Sequence, residues 1–158
     1  MTFVVVITGP SEGGIGAETG MSLARASPAL LILAGRSKSK VARVIARIAE
    51  SSPKVNVQFV ALDLGSQKSV RNAAVEINRT VSKIDLLNNN AAIMACPYAK
   101  TQDGMETQFG TNHIGHFLLT KLLMDKILAA GAGSRIIIVS SSAIRGTIRY
   151  DDYNFQVR

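Results

Sequence analysis

Residues 4–16, VVVITGPSEGGIG, constrain this chain more than any other stretch. Val4, Val5, Val6, Ile7 and Thr8 are all β-branched, which suits a buried strand. A glycine-dense turn follows, and a helical pattern starts at once. A strand that passes through glycines into a helix leaves the first helical N–H groups open to an anion. Glycine is needed there twice over. The turn must visit backbone angles closed to other residues, and a side chain would keep a diphosphate away from the N–H groups. Gly9, Gly14 and Gly16 are therefore expected to cradle a diphosphate, with Ser11 adding a hydroxyl donor. The alternative is an ordinary glycine-rich loop between a strand and a helix.

The rest of the chain alternates strand and helix. Strands are expected over 3–8, 29–34, 55–62, 84–88 and 134–140. Helices are expected over 14–26, 39–51, 66–82 and 105–130, the last with a break near Gly110. Gly16, Gly20 and Ala24 recur four apart, a small-residue stripe that lets the first helix lie close on a sheet. Val41, Val44, Ile45 and Ile48 share one face of the second. The strands show no polar alternation, which marks burial on both faces. Strands separated by helices imply parallel crossovers. The expected fold class is α/β, a doubly wound parallel sheet of Rossmann type in three α/β/α layers, and 158 residues make one domain.

Composition narrows the function classes. The net charge is +7, but the basic residues are scattered without a long run. A solvated basic surface or an anionic cofactor accounts for that better than nucleic acid. The single cysteine, Cys96, forms no internal disulfide and fits a reducing compartment. No apolar run is long enough to span a membrane. The opening MTFVVVITGP lacks the features of a signal peptide, so a cytoplasmic location is expected.

Further chemistry sits at the strand ends, where open α/β sheets bind ligands. Arg36 stands 20 residues past Gly16, in AGRSKSK, with Lys38 and Lys40 behind it. An acidic residue in that slot holds a ribose 2′-hydroxyl, whereas arginine accepts a 2′-phosphate through its two-pronged donor face. NADP(H) is thus expected over NAD(H), against the alternative of a solvated basic loop. Asp63 and Leu64 follow the third strand, NNNAA (88–92) the fourth, and VSSSA (139–143) the fifth. Turn and capping chemistry is the alternative for these. His113 and His116 lie three apart in TNHIGHF without an acidic partner, so no metal site is expected and surface or packing histidines are the preferred reading.

Together these residues resemble the short-chain dehydrogenase/reductase family, and within it the retinol-dehydrogenase-like branch. Thr8-Gly9 through Gly14-Ile15-Gly16 is similar to the family's TGxxxGIG. Asp63-Leu64 resembles the adenine-contacting segment, and Asn89-Asn90-Ala91-Ala92 the NNAG segment. Asn112 matches the asparagine of the family's catalytic tetrad, and Ser141 its substrate-orienting serine. The resemblance implies Gly9, Ser11, Gly14, Ile15, Gly16, Arg36, Asp63, Leu64, Asn90, Ala91 and Ala92 as cofactor-binding residues, with Asn112 and Ser141 as catalytic ones. It also implies an alcohol or carbonyl substrate, hydride transfer, and association of subunits through a helix at 112–130. That segment carries more apolar surface than one buried face needs.

Departures from the pattern accompany it. Four residues separate Gly9 from Gly14 where the family has three. Ala92 replaces a glycine, and Ile138 an asparagine. The family's proton donor is a tyrosine followed four residues later by lysine. Here Tyr98 is followed at that distance by Gln102, Tyr150 by Asn154 and Tyr153 by Val157, and the chain ends at Arg158 after a DDYNF segment like the one preceding that tyrosine. The expectation is a C-terminally incomplete chain, truncated ahead of that motif. Turnover should then fall by at least about 10²–10⁴, the usual worth of general acid–base help. A non-catalytic NADP(H)-binding or interaction module is the alternative function.

Overall fold

The computed structural model describes residues 3–142 and 148–156. Ala143, the last residue of the 139–143 serine segment, lies outside the described residues. In chain order the elements are β1 (Val4–Thr8), α1 (Ile15–Ala24), β2 (Leu30–Gly35), α2 (Lys38–Ser51), β3 (Val57–Ala61), α3 (Gln67–Thr80), β4 (Leu86–Asn89), α4 (Thr107–Phe109), α5 (His116–Ala129) and β5 (Arg135–Ile138). A π-helical turn, Gly110–Gly115, joins α4 to α5.

The five strands form one parallel sheet in the order β3-β2-β1-β4-β5. β1 is central, pairing Val5 with Leu31 on one side and with Leu86 on the other. Val5, Val6 and Ile7 have no exposed surface, as an unbroken β-branched run in a two-sided sheet requires. One face packs Val5, Ile7, Leu31 and Leu33 against α1 and α2. The other packs Val6, Ile32, Val60 and Leu87 against α3 and α5. This is the expected doubly wound, Rossmann-like architecture. Gly16, Gly20 and Ala24 are all buried on α1, and a Cβ on Gly20 would already touch Leu33 and Ile7.

Element ends shift for local reasons. Ser66 does not begin α3 but caps it, accepting the Ser69 N–H at 3.3 Å. β4 starts at Leu86, where its register with Val5 begins, and just before it the Asp85 carboxylate takes the Val4 N–H at 2.8 Å. The helix expected over 105–130 is divided. Glu106 is an N-cap whose carboxylate accepts the Gln108 and Phe109 N–H groups, and Gly110 opens the π turn. β5 is shorter than 134–140, since β4 offers it no partner residue beyond Asn89.

β5 is the sheet edge, and Ile136, Ile137, Ile138 and Val139 are 37%, 43%, 73% and 38% exposed. An apolar edge with unpaired backbone groups is a template for association. Ile138→Lys is expected to change stability by no more than about 0.5 kcal/mol. It should also reduce concentration-dependent light scattering. Leu33→Ala, in the buried middle of β2, is expected to cost about 2–5 kcal/mol, read as a lower urea midpoint at unchanged slope. Equal losses from the two substitutions would mean that the edge is covered.

Candidate functional site

A cavity of about 440 Å³ opens at the carboxyl ends of the strands, where β1 and β4 part. Gly9, Ser11, Gly14 and Ile15 line one wall, Arg36, Ser37 and Lys40 another. Asp63, Leu64, Asn90, Ala91, Ala92, Ile93 and Thr111 also line it. Ten of the eleven residues expected to bind cofactor therefore share one cavity. The other, Gly16, sits beneath it, where a Cβ would collide with the Asn90 amide and the Gly9 carbonyl. Gly9 adopts φ +66°, and a Cβ there would stand 2.7 Å from Ala91 Cα. The extra residue of the glycine turn is absorbed in a tight turn, closed by the Gly14 N–H on the Ser11 carbonyl at 3.0 Å, with Gly13 at φ +76°. Gly14 then acts as N-cap of α1.

The cavity floor is held by side chains that bond to backbone. Asn90 Nδ2 donates to the carbonyls of Thr8 at 2.9 Å and Gly9 at 3.2 Å. Thr8 Oγ1 accepts the N–H groups of Asn90 and Ala91, each at 3.0 Å. It also lies 2.8 Å from His116 Nε2. Asn112 pairs with the backbone of Ile93 in both directions, accepting its N–H at 2.9 Å and donating to its carbonyl at 2.8 Å. Asp63 Oδ1 accepts the Gly65 N–H at 3.0 Å, which orients the carboxylate at the end of β3. Arg36 is exposed at the end of β2, and Lys40 joins it from the first turn of α2.

A second cavity, of about 560 Å³, lies on the far side of Asn112. Cys96, Tyr98, Glu106, Gln108, Phe109, His113 and Phe155 share its walls with Asn112. Asn154 ties this region together: its side chain accepts the Glu106 N–H and donates to the Gly104 carbonyl at 3.1 Å. Tyr153 packs on Phe109 with ring centroids 5.8 Å apart. Ser141, three residues past β5, is exposed and lines neither cavity. Among the described residues no group of three or more His, Cys, Asp and Glu is placed to hold a metal, and no helix is long and apolar enough to cross a membrane.

Sequence reasoning singled out neither Ile93 nor Thr111, and it set His116 aside as a surface or packing residue. His116 is buried, yet both ring nitrogens have polar partners, Thr8 Oγ1 and the Asn112 carbonyl. The signal available was a histidine four residues after Asn112 on a helical pattern.

Burial pushes the His116 pKa below the usual imidazole range, and the hydrogen bond to the Asn112 carbonyl opposes this only in part. Its neutral form is thus the one that folds. Stability is full above about pH 6.5, where the imidazole is neutral folded or unfolded. It falls as pH drops from there toward the lower folded-state value, because the unfolded chain then takes up a proton the folded chain does not. The slope is at most about 1.4 kcal/mol per pH unit. His116→Gln is expected to flatten this acid limb in urea midpoints measured from about pH 7.5 to about pH 5. Identical acid limbs in the two proteins would rule it out.

The short chain dehydrogenase family model matches residues 3–153. Retinol dehydrogenase 13 of Homo sapiens is 45% identical over 155 residues, covering 98% of this chain and 46% of that protein. A crystal structure of an uncharacterized protein from Mycobacterium paratuberculosis superposes with a TM-score of 0.77 at 40% identity, over 99% of this chain and 53% of the other. A short chain dehydrogenase from Escherichia coli, solved with NADPH, superposes with a TM-score of 0.68 at 27% identity, over 83% and 55%. The chain spans about half the length of the curated relatives it matches. With a parallel sheet, a glycine turn at its switch point and a family match along nearly all its residues, the chain belongs to the short-chain dehydrogenase/reductase family and is retinol-dehydrogenase-like.

Proposed function

We propose that residues 1–158 form the dinucleotide-binding part of an NADP(H)-dependent oxidoreductase that interconverts an alcohol and a carbonyl. The observation that carries this is the single cavity joining the glycine turn to Arg36 and Lys40. The residues fit the cofactor. Gly9 leaves backbone exposed where a Cβ would close the space, and the first N–H groups of α1 have no helical partner. Arg36 and Lys40 supply positive charge at the end of β2, and residues 36–40 contain no carboxylate. A 2′-phosphate is the group such a corner selects. The E. coli relative solved with NADPH supports the same reading.

The cofactor would give or take a hydride. This chain's own residues bind and orient. The glycine turn takes the diphosphate, Arg36 and Lys40 the 2′-phosphate, and Asp63 the adenine end. Asn90, Ala91 and Ala92, which line the same cavity, would hold the ribose of the reacting ring. Asn112 stands between this cavity and the second one, and fixes Ile93 at their boundary. Ser141 is assigned the substrate oxygen on the family resemblance alone. None of the three tyrosines has a lysine four residues on, so these residues bind the cofactor without that acid–base pair. A non-catalytic NADP(H)-binding or interaction module is the second reading.

Calorimetric titration tests the proposal. NADPH is expected to bind with a micromolar constant, and Arg36→Ala to weaken it about 10–100-fold, the worth of a charge-assisted hydrogen-bond pair. NADH affinity should change by less than about threefold, because NADH has no 2′-phosphate. No binding at millimolar NADPH would overturn the proposal, and equal losses for both nucleotides would overturn the role of Arg36. Carbonyl-dependent NADPH oxidation then separates the oxidoreductase reading from the binding-module reading.

A further inference from the structure

We propose that His116 is a positioning residue, which in its neutral Nδ1–H form closes a ring of hydrogen bonds linking the glycine turn to the Asn112 segment. The protonation pattern follows from counting donors. Thr8 Oγ1 already accepts two backbone N–H groups, from Asn90 and Ala91. Both its lone pairs are engaged, so it must donate its own proton. Two acceptors are in reach, His116 Nε2 at 2.8 Å and the Asn88 carbonyl at 3.5 Å, and the shorter contact takes it. Nε2 is then bare, and the ring proton sits on Nδ1, which donates to the Asn112 carbonyl at 3.0 Å.

From there the circuit closes. Asn112 grips Ile93 at both backbone atoms, and two residues back along the chain Ala91 donates to Thr8. The ring joins β1, the segment after β4, and the π turn, which lie far apart in sequence. Thr8 is fully buried and His116 only 7% exposed, so water does not substitute for a missing member. The π turn has its own anchor, since Gly115 lies against the Leu64 carbonyl where a Cβ would not fit. An imidazolium would present Nε2–H to a hydroxyl that already receives two donors. Ala91 and Ile93 both line the nucleotide cavity, so His116, which touches no ligand itself, sets the spacing of its floor. This consequence for nucleotide affinity rests on the proposed function, while the ring does not.

The test begins with the wild-type protein. His113 and His116 are its two histidines, so long-range proton–nitrogen correlation of the imidazoles, assigned with His116→Gln, reports the tautomer directly. A neutral ring protonated on Nδ1 at pH 7 is expected, and either Nε2–H or imidazolium overturns the proposal. Amide exchange is the second measurement. His116→Leu should speed exchange at Ala91 and Ile93 at least about tenfold, whereas His116→Gln, whose Oε1 can replace Nε2, should stay within about threefold. Equal acceleration by both variants overturns the proposal. If His116→Leu does not fold, the wild-type tautomer and the Gln variant still decide. NADPH affinity should follow the same order, falling about tenfold in His116→Leu and less than about threefold in His116→Gln. Wild-type protein that binds no NADPH sinks the proposed function and leaves the tautomer and exchange results standing.

Discussion

The Thr8 hydroxyl stands where a parallel sheet is hardest to finish. β1 and β4 are paired up to Ile7 and Asn88, and beyond that pair the two chains diverge. The backbone N–H groups of Asn90 and Ala91 and the carbonyls of Thr8 and Gly9 are left with no strand to bond. Each such group, buried and unpaired, costs about 1–3 kcal/mol. Two side chains answer all four: Thr8 Oγ1 takes both N–H groups, and Asn90 Nδ2 takes both carbonyls. That exchange keeps the crevice open without leaving its backbone unsatisfied, and an open crevice at this point is what allows a ligand to reach the sheet.

Geometry above the crevice follows from that solution. With the Asn90 amide tucked under the glycine turn, position 16 has no room for a side chain, and α1 starts directly over the end of β1. The small stripe on α1 then lets it settle onto Ile7 and Leu33, which fixes the direction of its N-terminal N–H groups. On the other face, α5 is carried in by the π turn. A wound-in extra residue there leaves Asn112 facing Ile93 and His116 facing Thr8. Local irregularity of this kind is often kept where a site needs it.

What the sequence disclosed and what it concealed divide by range. The five β-branched residues of β1, the spaced glycines of α1 and the apolar face of α2 are local patterns, and each produced the element expected. Candidate residues at the ends of β1, β2, β3 and β4 gathered in one cavity for the same reason, since a parallel sheet sends its carboxyl ends to one side. The polar pairs were not legible. Thr8 and His116 meet across 108 residues, and Asn154 reaches back 50 to Gly104. No periodicity encodes such a contact; it exists only once the sheet is assembled. His116 on its own reads as one more buried position on an apolar helix. The DDYNF tail reads as the approach to a further motif, and its packing on Phe109 and Glu106 has no local signal.

The two halves of the cavity are not equally supported. On the β2–β3 side the sheet is covered by α1, α2 and α3, and its register runs from Leu31 to Gly35 without a gap. Arg36 and Asp63 extend from that half. On the β4–β5 side the strands are four residues long, and β5 is exposed throughout. Asn88 Oδ1 and Asn89 Oδ1 are buried without a hydrogen-bond partner among the described residues. Opening of the native state should therefore start at β5 and β4, where pairing is short and polar groups are least satisfied. Residues 90–93, which follow β4 directly, would go with it unless they were tied to something firmer. Thr8 belongs to the central strand, and His116 to a helix packed through Leu119, Leu123 and Ile127. Bonding 90–93 to these two gives the weaker wall of the cavity the stability of the core rather than that of the sheet edge.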